Sequence, residues 1–240
     1  MGDSNELVVG VIGGLGPEAT LDFFSKVLTH SKALKDQDHI HLVIENNPKT
    51  PNRNDAIAGK GPSPGPALAG MAQALDRAGA DFIVMACNTA HAFETEIRSA
   101  TQKPFVSLID EVVNEVRLKH PHVLRVGLLA AQGCLDTKIY DSAFARHGIE
   151  VVSPEQGSQL RFMELLYRIK SGDRGSEVRS SMRQIGEELL VKGAEILIAG
   201  CTEVPLVLQS GDNTHALIDS TDVLARQCVE YARKIKPLPV

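Results

Sequence analysis

Two cysteines occupy matching places in two parts of a 240-residue chain: Cys87 in Gly79-Ala-Asp-Phe-Ile-Val-Met-Ala-Cys-Asn-Thr89, and Cys201 in Gly193-Ala-Glu-Ile-Leu-Ile-Ala-Gly-Cys-Thr-Glu203. A thiol acts as nucleophile or base only as thiolate, and its ordinary pKa of about 8.5 falls at helix N-termini and beside cations. Two thiols on facing half-sites suit stereoinversion without a cofactor. One removes a proton from one face of a carbon, and the other returns a proton on the opposite face. An isolated strand-end cysteine is ordinarily a small buried hydrophobe. The duplicated setting turns this pair toward chemistry, whereas Cys134 and Cys228 lack it and read as structural.

In each copy a Gly-Ala pair ends a helical run, an acidic residue follows, and five apolar or small residues read as a buried strand ending at the thiol. A second pair of segments repeats in the same sense. Val9-Gly-Val-Ile-Gly-Gly-Leu-Gly16 with Thr20 aligns on Val126-Gly-Leu-Leu-Ala-Ala-Gln-Gly133 with Thr137, an offset of 117 residues against 114 for the cysteines. Such an offset is the period of a domain, not of a solenoid repeat. The patterns predict strands over 7–13, 39–45, 81–86 and 105–108, with helices over 17–34, 67–78, 90–101 and 110–119. The second part predicts strands over 124–130, 149–152 and 195–199, with helices over 136–147, 158–170, 176–192 and 221–235. The expected fold class is α/β: two similar open parallel-sheet domains related by a pseudo-twofold duplication, with the active site in the cleft between them.

The short apolar segment 216–219 is expected to return to the first sheet. Domain one would then comprise 1–108 plus 216–240 and carry Cys87, and domain two 109–215 would carry Cys201. The Asn-, Pro- and Gly-rich stretch 46–66 is long for a connection inside a compact domain, so it reads as a functional flap or as disordered chain, with the flap favoured. In open parallel sheets ligands bind beyond the carboxyl ends of strands, where helix N-termini supply free amide donors. Each cysteine is expected at or just before a helix start, with its pKa lowered.

At 43% hydrophobic and 23% charged residues, the chain has the composition of one large globular domain or two small ones. A net charge of −5 lacks the basic field that nucleic acid or an anionic membrane would require. The first residues, Met-Gly-Asp-Ser-Asn-Glu, are polar and acidic, Gly2 lacks the downstream Ser or Thr of a myristoylation site, and no apolar run approaches membrane-spanning length. A cytoplasmic location is expected. Four cysteines without a CxxC or a His-rich cluster argue against a disulfide framework or a structural zinc, so free thiols and no metal are expected.

The chain resembles the aspartate/glutamate racemase superfamily, and within it the aspartate racemase branch. The residues that carry the likeness are Gly13-Gly-Leu-Gly-Pro-Glu-Ala-Thr20, Cys87-Asn-Thr-Ala-His91 and Gly200-Cys-Thr-Glu-Val-Pro205, and it covers nearly the whole chain. The resemblance implies an isomerase that uses no cofactor, neither pyridoxal phosphate nor any other, and that forms a homodimer. It makes Cys87 and Cys201 the opposed acid and base. It places Asn88, Thr89 and Thr202 on the substrate carboxylate, with Gly14 and Leu15 also in the substrate site. Arg53, in Pro51-Asn-Arg53, would read the side-chain carboxylate of L- or D-aspartate, which suits a guanidinium fork; a loop arginine is equally often a solvated charge. Lys170, in Lys170-Ser-Gly172, is the second carboxylate contact by resemblance and a dipole-stabilising helix-end lysine by position.

Glu203 stands where glutamate racemases carry His, and the glycine segment lacks their Asp-Ser element; both point to the aspartate branch. Glu203 would hold the proton of Cys201, bind the substrate ammonium, or cap the following helix. His91 lies one helical turn past Cys87 and is expected to orient the loop. Without pyridoxal phosphate, the developing carbanion must be stabilised by preorganised donors around the α-carboxylate.

Other readings remain open on sequence. A broad-specificity aspartate/glutamate racemase, a hydantoin racemase, a maleate isomerase or a decarboxylase would share the superfamily, though a retained cysteine pair disfavours decarboxylases that keep one. A binding protein on the same fold would carry inert thiols. Gly14-Leu-Gly16-Pro-Glu-Ala19 also fits the G-x-G-x-x-A fingerprint of an NAD-linked oxidoreductase. Its acidic partner would be Glu45, nearly thirty residues past Gly16 rather than about twenty, and the duplicated cysteines would go unexplained.

Overall fold

The computed structural model describes residues 6–209 and 216–239. The first half runs β1 (Val9–Gly13), α1 (Pro17–Ser31), β2 (Leu42–Asn46), α2 (Arg53–Ile57), α3 (Gly65–Arg77), β3 (Phe82–Met85), α4 (Glu94–Ala100), β4 (Phe105–Val106) and α5 (Leu108–Lys119). The second half repeats the plan with β5 (Arg125–Leu129), α6 (Gln132–Asp136), α7 (Ile139–Ala145), β6 (Glu150–Val152), α8 (Gln156–Lys170), α9 (Ser176–Val191), β7 (Ile196–Ala199), β8 (Leu217–Asp219) and α10 (Ser220–Ala232). Among the described residues no helix is long and apolar enough to cross a membrane.

Each half forms a four-stranded, wholly parallel sheet, with strand orders β2-β1-β3-β4 and β6-β5-β7-β8. The identical order is the structural form of the duplication. In both sheets the winding reverses between the two central strands, β1 with β3 and β5 with β7, which is where open parallel sheets leave a ligand crevice. The registers Ile12↔Met85 and Leu129↔Ala199 bring the loops after these strands side by side. Both crevices therefore end in a cysteine-bearing loop.

The strand expected to rejoin the first sheet does not. Leu217–Asp219 pairs with β7 in the second sheet, as β4 pairs with β3 in the first. Helix α10 then leaves that edge and packs against α1 of the first half, and also against α5, which itself packs on α7 of the second half. The two halves thus exchange their last helices across the pseudo-twofold axis. The expected division at 108/109 and 215/216 gives both β8 and α10 to the first half; α10 does pack there, whereas β8 pairs in the second sheet, and residues 210–215 lie outside the described residues.

Alternation along the strands sorts the core into layers. Val9, Val11, Phe82 and Val84 of one sheet, with Val126, Leu128, Ile196 and Ile198 of the other, face a shared core filled by Phe23, Val27, Val112, Val116, Phe144 and Leu224. The opposite faces bury separately: Ile12, Ile83 and Met85 under α3 and α4, and Leu129, Leu197 and Ala199 under α8 and α9. A common apolar core between the sheets fixes how the two crevices meet. Cys134 and Cys228 belong to this core, as expected of structural thiols.

Three expected helices differ in detail. The run predicted over 90–101 is a 3₁₀ turn, Thr89–Phe93, followed by α4. The run over 136–147 breaks into α6 and α7 at Lys138, which is left-handed at φ 51°. Helix α1 ends at Ser31 because Lys32 takes φ 45°.

The candidate active site

Cys87 and Cys201 follow β3 and β7 and both line one cleft of about 320 Å³. The candidate catalytic and substrate-binding residues are all brought there: Gly14, Leu15, Arg53, Asn88, Thr89, Lys170, Thr202 and Glu203 join the two cysteines in its walls, while His91 lies outside them. The size lies at the small end of the usual range for ligand pockets, about 300–1,000 Å³, and suits a single amino acid.

The segment 46–66 takes the form of an ordered flap. Asn47 O accepts from Thr50 N at 3.3 Å, and Asn52 Oδ1 caps α2 by accepting from Asn54 N at 2.9 Å. Asn54 Oδ1 in turn accepts from Gly133 N at 2.9 Å, fastening the flap to the start of α6 in the other half. The cleft rim is also crossed by an ion pair between Glu18 at the start of α1 and Arg174 beyond α8, at 2.6 Å. Arg53, first residue of α2, is thereby held in the cleft wall. It donates from Nη1 to Pro51 O at 3.0 Å and Thr50 O at 3.4 Å, and from Nη2 to Leu15 O at 2.5 Å.

Two glycines allow these approaches. Gly14 sits at φ +79°, and a Cβ there would meet Asn47 N at 2.4 Å. At Gly16 a Cβ would lie 2.6 Å from Glu203 Oε1 and 3.4 Å from Lys170 Nζ. The glycine turn thus lets an acid-base pair of the second half, a buried Glu203 and a partly exposed Lys170, reach the edge of the first.

That pair is the main electrostatic feature. Glu203 is buried and accepts from Cys201 Sγ at 3.0 Å and from Thr202 Oγ1 at 3.2 Å on one oxygen, while Lys170 Nζ donates to the other. Burial opposes the Lys170 charge, but Glu203 and the neighbouring thiols outweigh it and hold the ammonium above its ordinary range. For Cys201 the expected lowering is reversed. Burial first, then the Glu203 carboxylate, push its thiol well above the ordinary range, and Lys170 offsets only part. The physical reason is local. Each cysteine is followed by a short 3₁₀ turn, Thr89–Phe93 or Val204–Leu206, not by an α-helix whose amide dipoles add along the axis. Glu203 does not cap its turn, either.

His91 orients the Cys87 loop as expected. Its Nδ1 donates to Cys87 O at 2.8 Å and its Nε2 accepts from Leu108 N at 3.1 Å, which defines one neutral tautomer. Burial lowers its pKa from the ordinary value. The unfolded chain therefore takes up a proton below about pH 6.5 that the native state refuses, so native stability falls on acidification from there and is unaffected by His91 above it. His91→Ala is expected to cost roughly 1–3 kcal/mol in urea unfolding at pH 8, by leaving two buried backbone groups unpaired, and to remove its share of the acid slope. Unchanged unfolding would make the loop self-supporting.

Several cleft residues were not anticipated. Ala131 is the duplicate of Gly14 at the same 117-residue offset, so the repeat itself contained that signal. Asn54 adjoins Arg53 in the flap. Leu166 and Tyr167, on α8 just before Lys170, carry no sequence signal beyond that proximity.

Fold and cleft together define a duplicated parallel α/β protein that presents two thiols, one from each half, to a small polar ligand. The chain belongs to the Asp/Glu/Hydantoin racemase family, whose model matches residues 12–228. It is 28% identical over 226 residues to the broad specificity amino-acid racemase RacX of Bacillus subtilis, covering 92% of this chain and 96% of that protein. Among solved structures it is similar to the Picrophilus torridus aspartate racemase, with TM-score 0.84, 29% identity, and 97% and 96% of the two chains covered. It is also similar to an aspartate racemase homologue from Pyrococcus horikoshii, with TM-score 0.75, 27% identity, and 94% and 99% covered. The protein is accordingly a racemase, an isomerase of this superfamily.

Proposed function

We propose that the protein interconverts L- and D-aspartate without a cofactor, by a two-base mechanism with Cys87 and Cys201 on opposite faces of the α-carbon. The observation that carries this reading is the pair of thiols at equivalent ends of β3 and β7 in the wall of one amino-acid-sized cleft. In each direction one thiolate abstracts the α-proton and the other cysteine, as thiol, delivers a proton to the opposite face. The negative charge that develops on the α-carboxylate oxygens, where preorganised hydrogen bonds are worth most, is met by donors from Asn88 and Thr89 and by the backbone amide of Thr202; the Thr202 hydroxyl hydrogen goes to Glu203. Gly14 and Leu15 form the wall beneath.

Lys170 and Glu203 serve Cys201 rather than the substrate side chain. The carboxylate oxygen at 3.0 Å from Cys201 Sγ is placed to receive its proton, and the Lys170 ammonium pairs with the other oxygen of the same carboxylate. Arg53 supports aspartate as substrate. Three of its five N–H groups go to backbone carbonyls, leaving Nε and one Nη2 hydrogen as a side-on fork for a carboxylate. Arg53→Ala is expected to raise KM roughly ten- to a hundredfold for aspartate while leaving alanine nearly unaffected. Equal effects on the two would remove Arg53 from side-chain recognition.

A second reading, broader specificity toward glutamate and other amino acids, is favoured by the likeness to the Bacillus racemase. Relative kcat/KM for aspartate, glutamate and a neutral amino acid separates the two. A cytoplasmic homodimer, implied by the resemblance, forms part of the same proposal.

A further inference from the structure

Asn88 is buried at the end of β3, yet its side chain is held by groups of the other half. Tyr140 Oη, on α7, donates to Asn88 Oδ1 at 2.6 Å. Asn88 Nδ2 donates to Ser220 Oγ at 3.1 Å, and Ser220 Oγ donates to Ala199 O at 2.7 Å, the last residue of β7. The chain of bonds has one consistent direction. An amide oxygen only accepts, so the tyrosine hydroxyl must donate; the single Ser220 hydrogen goes to Ala199, so its oxygen accepts from Asn88. Tyr140 and Ser220 are both 0% exposed. Burial holds the Tyr140 hydroxyl well above its ordinary pKa, so it keeps the proton it donates. Only the second Nδ2 hydrogen of Asn88 is left over, and Asn88 lines the cleft.

We propose that Tyr140 and Ser220 are positioning residues that lock the Asn88 amide with its NH₂ edge toward the cleft, presetting one donor for the substrate α-carboxylate. This rests on the reading of Asn88 as a carboxylate contact. Without the Tyr140 hydroxyl the amide is free to turn over, and its oxygen then faces a carboxylate and repels it. The repulsion grows as negative charge builds on the carboxylate during proton removal. Because Tyr140 and Ser220 come from the second half and Asn88 from the first, the donor is set only when the halves are in register.

The test is a double-mutant cycle on whichever amino acid the wild type racemises. Tyr140→Phe keeps the ring stacked on Phe144, 6.1 Å between centroids, and removes only the hydroxyl. It is expected to lower kcat/KM about tenfold or more, and Asn88→Ala to lower it at least as far. Tyr140→Phe placed in the Asn88→Ala background is expected to cause no further loss, since the residue acts only through that amide. Ser220→Ala is expected to give a loss of the same kind. Losses that multiply, or a Tyr140→Phe enzyme at the wild-type rate, would overturn the proposal. A second readout needs no activity. In ¹⁵N-labelled protein the Asn88 side-chain amide, assigned by its absence in Asn88→Ala, should exchange with solvent about tenfold faster in Tyr140→Phe than in wild type. Equal exchange overturns the lock, whereas a wild type inactive on every amino acid overturns the racemase reading and leaves this measurement to decide the lock.

Discussion

Cys87→Ser and Cys201→Ser are each expected to lower racemisation by roughly 10²–10⁴-fold, the scale of a positioned acid or base, measured from either enantiomer by chiral chromatography. A serine hydroxyl is too weak an acid to supply an anionic base at neutral pH, and no other titratable side chain in the cleft occupies the same place. The loss must be equal in the two directions. The equilibrium constant between enantiomers is one, so kcat/KM cannot differ between them in any variant. Solvent exchange of the α-proton has no such constraint. Each single variant keeps one thiol and should still wash deuterium into the enantiomer whose α-proton faces that thiol, so the two variants should exchange opposite enantiomers. Full racemase activity in either variant would end the two-base account.

Glu203→Gln is expected to produce two effects of opposite appearance. The Cys201 thiol should become more acidic, because the carboxylate that helps to hold it up is gone and Lys170 remains. Its alkylation by iodoacetamide should therefore reach half-maximal rate at a lower pH than in the wild type. The racemisation rate should nevertheless fall about a hundredfold, since the proton leaving Cys201 loses the acceptor 3.0 Å away. A glutamine that leaves the rate unchanged would reduce Glu203 to a structural partner of Lys170. A rate loss without any shift in thiol titration would show that the residue acts on the substrate ammonium instead.

The duplication was legible in the sequence because it rests on strand-end signals that survive without contacts: a helix-ending glycine, an apolar run, then the thiol. Pursued further, it also decides what propensity left open. Segment 216–219 is apolar and short, and nothing in its composition says which sheet edge it joins. Its position relative to β7 nevertheless mirrors that of β4 relative to β3, each leading directly into a helix, and the structure follows that rule. The site residues were legible as types at spacings, and all of them line the cleft. Their couplings were not. That Lys170 reaches Glu203 depends on Gly16 standing aside and on α8 ending beside the Cys201 turn, which are long-range facts. The thiol pKa was misjudged because sequence marks a helix start but cannot distinguish a 3₁₀ turn from a full helix, nor foresee a carboxylate buried beside Cys201. Tyr140 sits 52 residues from its partner Asn88, with no local pattern to reveal it.

The most direct measurement is incubation of the purified protein with L-aspartate in D₂O without added cofactor, following the α-proton by NMR and the enantiomer ratio by chiral chromatography. The account predicts deuterium incorporation together with formation of D-aspartate until the enantiomers are equal. Loss of neither the α-proton nor the enantiomeric purity would contradict it.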